Sequence, residues 1–456
     1  MSKEENNELE RNKVERDRLA RNKVEWPAAE LGSEMAAGNG LLDRRTLLRA
    51  GVFAAGIAGL GAGLGAGLVH AQGDGSVGAD APAWMRAPGR SFSSYGMPSK
   101  WQEKVQRSFM VAPGRAGTGS SRTPLELLEG TMTPNGLHFE RHHNGIPDID
   151  PSRHELVIHG MVKSPLAFSV ETLMRYPMES QVRFVECAGN SGGYSQPQPQ
   201  QATAGGLNGL ISCSEWTGVR LATLLAEAGV TREAKWVVAE GGDAAAMSRS
   251  VPLEKCLDDA MIALYQNGEA IRPEQGYPMR LLLPGFEGNM NVKWLRRLNV
   301  VGEPVNARDE TAHYTELMPN GKARQYMLMQ GVKSAIVKPS FGLTMKGPGF
   351  YEVSGLAWSG AGRVSKVEVS ADGGKSWAAA ALSDPILPKA LTRFRLAWQW
   401  DGRPSVLMSR ATDEKGNVQP TRAAWVAQYA PGQPYHFNGI QSWSVEADGT
   451  VKNVYV

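Results

Sequence analysis

One stretch constrains this chain more than any other: Arg183-Phe184-Val185-Glu186-Cys187-Ala188-Gly189-Asn190-Ser191-Gly192-Gly193. Val182, Phe184 and Val185 read as a short β-rich run, and the small residues after the cysteine force a turn. A strand ending on Cys187 hands its thiol to a loop. A thiolate is a soft ligand for a transition metal, and adjacent glycines let a bulky group approach the backbone. The competing use of a lone cysteine is as a small buried hydrophobe.

At 456 residues the chain is long for one domain, so two domains with appendages are expected. A net charge of +3 gives no reason to expect nucleic acid or a membrane surface as partner. Three cysteines, Cys187, Cys213 and Cys256, exclude a disulfide framework and allow at most one bridge. None has the spacing for covalent haem or an iron–sulfur cluster. If the chain is a redox enzyme, its electrons must leave through a partner.

Residues 1–40 are polar and carry an imperfect repeat, Arg11-Asn12-Lys13-Val14-Glu15 recurring as Arg21-Asn22-Lys23-Val24-Glu25, with too few apolar residues to bury. Asp43-Arg44-Arg45-Thr46-Leu47-Leu48-Arg49 then precedes an uncharged run to Val69 and a small-residue site at Ala71. Paired arginines in that setting read as a cleaved twin-arginine export signal. Seven glycines between Ala50 and Val69 make the run a poor membrane anchor, so no stable span is expected after cleavage. Gly61, Gly63 and Ala66 fit a dinucleotide fingerprint but lack the strand that should precede it.

Residues 72–130 are rich in Gly, Pro and Ser and read as an irregular arm with Trp84 and Trp101 as apolar anchors. His138-Phe139-Glu140-Arg141-His142-His143 follows. His142 and His143 would point to opposite sides of a strand, which argues against one metal held by both. Leu156 to Val162 is expected as a strand, and Phe168 to Arg175 as a short helix stopped by Pro177. The Gln-Pro run over residues 195–201 is a loop expected to border the active-site mouth. Thr217-Gly218 reads as the start of a helix closed by Gly229, and Pro252 as the start of another with Leu253, Cys256 and Leu257 on one face. Ile262 to Tyr265 is a strand leading into an Asn267-Gly268 hairpin turn.

Tyr277-Pro278-Met279-Arg280-Leu281-Leu282-Leu283 places one arginine at the start of an apolar strand. A buried guanidinium there needs an anion, because an unpaired charge costs several kcal/mol, on the order of 3–5. A phosphate would serve, and Lys293 adds a second cation thirteen residues on. Surface ion pairs on a sheet edge are the alternative use. Beyond Val332 the pattern changes to short alternating strands, such as Phe394-x-Leu396-x-Trp398-x-Trp400, with turns at β-sandwich intervals.

Cys-Ala-Gly-Asn after an apolar strand, with Trp-Thr-Gly-Val at 216–219, resembles the sulfite oxidase family of molybdopterin enzymes. Tyr-Pro-x-Arg ending at Arg280 and Asn291-Val292-Lys293-Trp294-Leu295 resemble its pterin-phosphate segments, and Arg141-x-His143 its substrate and pterin contact. Gly355-Leu356-Ala357-Trp358-Ser359-Gly360 and Asp372-Gly373-Gly374-Lys375-Ser376-Trp377 resemble its immunoglobulin-like dimerisation domain. The likeness covers roughly residues 135–430.

It implies an α+β chain: a signal-bearing extension over residues 1–71, the arm over 72–130, a sulfite-oxidase-type molybdopterin-binding catalytic domain over 131–330, and an immunoglobulin-like β-sandwich over 331–456. Cys187 would ligate molybdenum. Arg141 and Tyr314 would be catalytic. His143, Arg280, Asn291, Val292 and Lys293 would hold the molybdenum–molybdopterin cofactor, with Gln275 in place of a family histidine.

Ser191 and Gly192 stand where the family carries arginines that hold sulfite, and no tryptophan walls the pocket around Leu207. The pattern Glu-Cys-x-Gly-Asn-Ser is similar to the family's sulfane dehydrogenase branch. Oxidation of sulfane sulfur on a carrier protein is therefore expected, with electrons passing to a periplasmic c-type cytochrome subunit and a homodimer through the C-terminal domain. The alternatives are a direct sulfite dehydrogenase and, of another class, an exported non-enzymatic β-sandwich binding protein.

Overall fold

The computed structural model describes residues 35–42, 81–433 and 435–456. The N-terminal repeat, Arg44, Arg45 and the Gly61–Gly63–Ala66 run lie outside the described residues.

The apolar run before the cysteine forms the strand Met178–Glu186, which pairs antiparallel with Ile211–Arg220 from Met178↔Val219 to Glu186↔Ile211. Met261–Gln266 adds to the other side of Ile211–Arg220, and the short Arg280–Leu282 strand joins it. In a second sheet, Leu295–Val301 pairs antiparallel with Trp236–Gly241 and parallel with Glu155–Gly160. Leu221, Leu224, Leu225 and Ala228 of the helix Leu221–Ala228 are buried in one apolar cluster with Ile158, Val237, Ile262, Leu281 and Leu298 from both sheets. Each such leucine contributes about 1.5–3 kcal/mol on burial, so this cluster fixes the strands that carry the site.

Several local readings change. Trp216, Thr217 and Gly218 lie in a strand, because their backbone is held between two neighbours. A Cβ on Gly218 would stand 2.0 Å from the Ile262 carbonyl, which is why glycine is required there. The helix begins only at Leu221 and stops at Gly229, as expected, in the left-handed conformation. Phe168 belongs to the strand Leu166–Ser169, leaving a single turn of helix at Val170–Leu173. Cys256 is buried as expected, but Leu257 is 45% exposed. Asn267 and Gly268 form the hairpin turn, both at positive φ.

The arm is more ordered than its composition suggests, and less anchored. Ser108–Val111 pairs with Gly119–Arg122, which pairs with Glu140–His142. Trp84 and Trp101 are each 81% exposed, so neither anchors anything.

The C-terminal part is a β-sandwich. One sheet runs through Thr392–Trp400, Gly349–Trp358 and Lys333–Lys338; the other through Val364–Ser370, Ser405–Asp413, Ser442–Val445 and Val451–Val454. Trp358, Trp398, Trp400, Phe394 and Trp443 fill the core. Phe184 and Cys213 of the other domain belong to the same cluster, so the two parts share apolar packing. Residues 195–201 dock on this sandwich: Asn453 bonds Gln200 and Gln201, and Arg422 donates to Gln196. No residue of that loop lines the cavity beside Cys187, contrary to expectation. Its main-chain carbonyls find their donors on the sandwich instead. No helix among the described residues is long and apolar enough to cross a membrane.

Candidate active site

Cys187 follows directly on the strand Met178–Glu186, and its N–H donates to the Leu210 carbonyl at 2.9 Å. The turn closes where Asn190 N donates to the Cys187 carbonyl and Asn190 Oδ1 accepts from Leu210 N. A Cβ on Gly288 would meet the Glu186 carbonyl at 2.8 Å and the Cys187 Cα at 3.1 Å, so only glycine lets that loop close over the cysteine.

Glu186, 3% exposed, accepts from Lys333 Nζ at 3.0 Å, Trp358 Nε1 at 2.7 Å and Asn190 Nδ2 at 2.9 Å. Lys333 and Trp358 come from the sandwich, so the residue before the cysteine is fixed by the other domain. Lys333 also donates to Ser191 Oγ at 2.6 Å. Ser191 is therefore drawn into the buried network, and neither it nor Gly192 lines the cavity.

Cys213 and Cys256 are fully buried, and burial pushes both thiols up to about 12. Cys187 is partly exposed because it faces a cavity. Burial also raises its thiol, while the Gly189 N–H and Arg141 pull it back towards the thiolate.

All eight residues singled out from the sequence line that one cavity: Arg141, His143, Cys187, Arg280, Asn291, Val292, Lys293 and Tyr314. Arg141 sits on Glu140–His142, and its Nη1 donates to the Gly119 carbonyl at 3.3 Å. His143 Nε2 is 3.2 Å from the Tyr314 hydroxyl. Burial, then Arg141, lowers the His143 imidazole to about 4, so it is neutral at working pH. Burial raises the Tyr314 phenol, which therefore keeps its proton. Arg249, 1% exposed, stacks its guanidinium 5.1 Å from the Tyr314 ring. His142 lines the same cavity as His143; its Nε2 donates to Glu140 at 2.8 Å and its Nδ1 accepts from Lys293 Nζ at 3.0 Å. Among the described residues no cluster of three His, Cys, Asp or Glu is arranged to hold a metal.

The cationic wall is the test of fit. Arg280 is 3% exposed, faces no carboxylate, and donates only to the carbonyls of Gln275 and Asn291. Its Nε is buried without a partner, and burial lowers the guanidinium to about 9. Lys293 donates to the Arg141 and Glu274 carbonyls, and burial, then Arg280, lowers it to about 7. A buried guanidinium with an orphaned donor, beside a half-buried ammonium that feels Glu140 and Asp243 without an ion pair to either, fits a phosphate. Asn291 plays a different part: its Oδ1 accepts from Leu283 N and its Nδ2 donates to the Glu287 carbonyl, shaping the loop.

Sequence reasoning missed Lys333 and three further contributors. Arg122, from the arm, is lowered by burial and drawn back up by Cys187. The Tyr435 ring lies tilted against Tyr314 with centroids 5.5 Å apart and feels Cys187. His436 donates its backbone N–H to the Ala188 carbonyl at 2.8 Å. Its Nδ1 lies 2.6 Å from Glu316 and its Nε2 3.2 Å from Glu287, all three buried. Burial pushes this imidazole down, but the two carboxylates outweigh it and raise it to about 9. Nothing in the local sequence of Tyr435 or His436 marks them, since they reach the Cys187 loop from the far end of the chain.

The oxidoreductase molybdopterin binding domain matches residues 143–308, and the Mo-co oxidoreductase dimerisation domain residues 324–442. Sulfite oxidase of Gallus gallus is 31% identical over 336 residues, covering 67% of this chain and 72% of that protein. Mitochondrial sulfite oxidase of Mus musculus is 30% identical over 331 residues, and the chain spans 60% of its length. Among solved structures, the sulfane dehydrogenase SoxCD from Paracoccus pantotrophus is 44% identical, with a TM-score of 0.80 over 83% of this chain and 98% of that one. A cavity-facing thiol and a phosphate-ready wall on a molybdopterin-binding domain, followed by a dimerisation domain, define a molybdopterin oxidoreductase, and its cofactor is molybdenum–molybdopterin. The chain belongs to the sulfite oxidase family.

Proposed function

We propose that the chain is the molybdenum subunit of a periplasmic sulfane dehydrogenase. It oxidises sulfane sulfur held on a carrier protein and passes the electrons to a c-type cytochrome subunit. Catalysis belongs to residues 131–330 and homodimerisation to residues 331–456, and the twin-arginine pattern over residues 43–71 directs export of the folded protein.

The observation that carries this reading is the 44% identity to SoxCD across 98% of that chain. The Cys187 loop agrees with it. Where a site for free sulfite gathers several fixed cations about one small dianion, Ser191 here is buried on Lys333 and Asn208 and brings no charge to the cavity.

The bound cofactor supplies two-electron oxidation of sulfur with water as the oxygen source. Cys187 holds the metal. Arg280 and Lys293 hold the pterin phosphate, and His143 with the loop at Asn291 and Val292 lines its bed. Arg141 offsets negative charge as oxygen is added to the sulfur. Tyr314, protonated and accepting from the Nε2–H of a neutral His143, keeps its own O–H free to donate to the same oxygens.

The second reading, a direct sulfite dehydrogenase, is favoured by the 31% identity to sulfite oxidase of Gallus gallus. The two separate in one assay. Cytochrome reduction is compared with carrier-bound sulfane and free sulfite at equal concentration. The sulfane should be much the faster, and a faster sulfite would replace the first reading with the second.

A further inference from the structure

His138 lines the same cavity and has no part in the chemistry described so far. It is 1% exposed. Its ring is stacked on Phe139, with centroids 5.3 Å apart, and meets Trp216 edge-on at 5.8 Å, so it cannot turn freely. Nδ1 lies 3.0 Å from the Phe139 carbonyl, a group that can only accept, which puts the ring proton on Nδ1. Nε2 is then a bare acceptor, and it has no partner.

Neighbouring groups do not relieve it. Gln275 donates one amide N–H to the Phe139 carbonyl at 2.8 Å and none to the ring. Arg280 directs its hydrogen bonds to main-chain carbonyls, and Lys293 to main-chain carbonyls and to His142 Nδ1. Burial, followed by the charges of Arg280, Lys293 and Arg107, lowers the imidazole to about 3, so it stays neutral. A buried acceptor left unmet is destabilising, and its place beside a cofactor bed points to a ligand donor. A phosphate offers none at working pH. The heterocyclic end of the cofactor does, through a ring N–H and an exocyclic amine.

We propose that His138 Nε2 accepts a hydrogen bond from a pterin N–H, fixing the heterocycle while Arg280 and Lys293 hold the phosphate. This rests on the cofactor assignment above. It makes His138 a specific binding residue that selects a nitrogen heterocycle over a bare anion.

The test uses His138→Phe, which keeps an aromatic ring and removes the acceptor, His138→Leu as a second acceptor-free variant, and His138→Gln, which restores an acceptor. Each is made in a host that supplies the cofactor. Molybdenum and pterin per chain, the rate of cofactor release on dilution, and the melting temperature of the cofactor-free protein are measured. Cofactor release should quicken about tenfold in the Phe and Leu variants, the equivalent of one such hydrogen bond. The Gln variant should return towards wild type, and cofactor-free melting of at least one acceptor-free variant should match wild type. Release at the wild-type rate from either acceptor-free variant overturns the proposal. So does equal loss of cofactor-free stability in all three, which would make His138 a packing residue. If Phe misfolds, Leu against Gln still decides. A wild-type protein without molybdenum would fail the cofactor assignment instead, a distinguishable result.

Discussion

Lys333→Met removes the cation that joins the sandwich to the residue before Cys187. Lys333 and Glu186 are 2% and 3% exposed, and their charged atoms are 3.0 Å apart. Removing one partner of a buried pair costs about 3–5 kcal/mol, because the remaining charge is stranded without solvent. Here Glu186 keeps neutral donors from Trp358 and Asn190, so the lower end, about 3 kcal/mol, is expected. Glu186→Gln in the same chain removes the stranded charge, and the double variant should recover most of the loss. The assay is a double-mutant cycle on cofactor-free protein by denaturant unfolding, with molybdenum retention measured in parallel. Retention should fall in the single variant, since the strand leading to Cys187 is no longer clamped. A single-variant loss below about 1 kcal/mol, the range of an exposed pair, would refute the reasoning, as would a double variant whose loss equals the sum.

Other outcomes follow from the same contacts. His436 has a folded-state value of about 9 against an ordinary 6.5, so its clamp on Glu287 and Glu316 acts fully below pH 6.5 and is lost as pH rises through 9. That loss is about 3 kcal/mol, and His436→Gln should flatten the decline in melting temperature between those values. Cys213→Ala and Cys256→Ala should leave catalysis near wild type, because both thiols are sealed in apolar clusters; loss of turnover in a folded variant of either would count against the assignment of Cys187. Arg44→Lys with Arg45→Lys should leave the precursor in the cytoplasm, since the paired guanidinium groups are read by a receptor rather than as bulk charge. Normal periplasmic accumulation would count against export by that route.

What the sequence reveals depends on how local the cause is. Cys187 is legible because an apolar run and a cluster of small residues both end on it, and Arg280 because one arginine in an apolar strand demands an anion. The start of the Leu221–Ala228 helix is misplaced from sequence because Val219 continues its apolar spacing backwards, while pairing to Met178–Glu186 and Met261–Gln266 holds Trp216–Gly218 extended. The isolated tryptophans of the arm look like anchors only until their exposure is seen. The loop at residues 195–201 follows the cysteine in sequence, yet Asn453 and Arg422 draw it onto the sandwich. Lys333, Tyr435 and His436 were illegible for the opposite reason: they converge on the Cys187 turn from another domain, and nothing in their own neighbourhoods records it.

The central claim is that Cys187 holds molybdenum in a pterin-bearing cavity. Elemental and pterin analysis of the protein purified from a molybdenum-competent host, beside Cys187→Ala, tests it most directly. Wild type should carry stoichiometric molybdenum and pterin, and Cys187→Ala should remain folded but turn nothing over. A wild-type protein without molybdenum, or an active Cys187→Ala variant, would contradict the account.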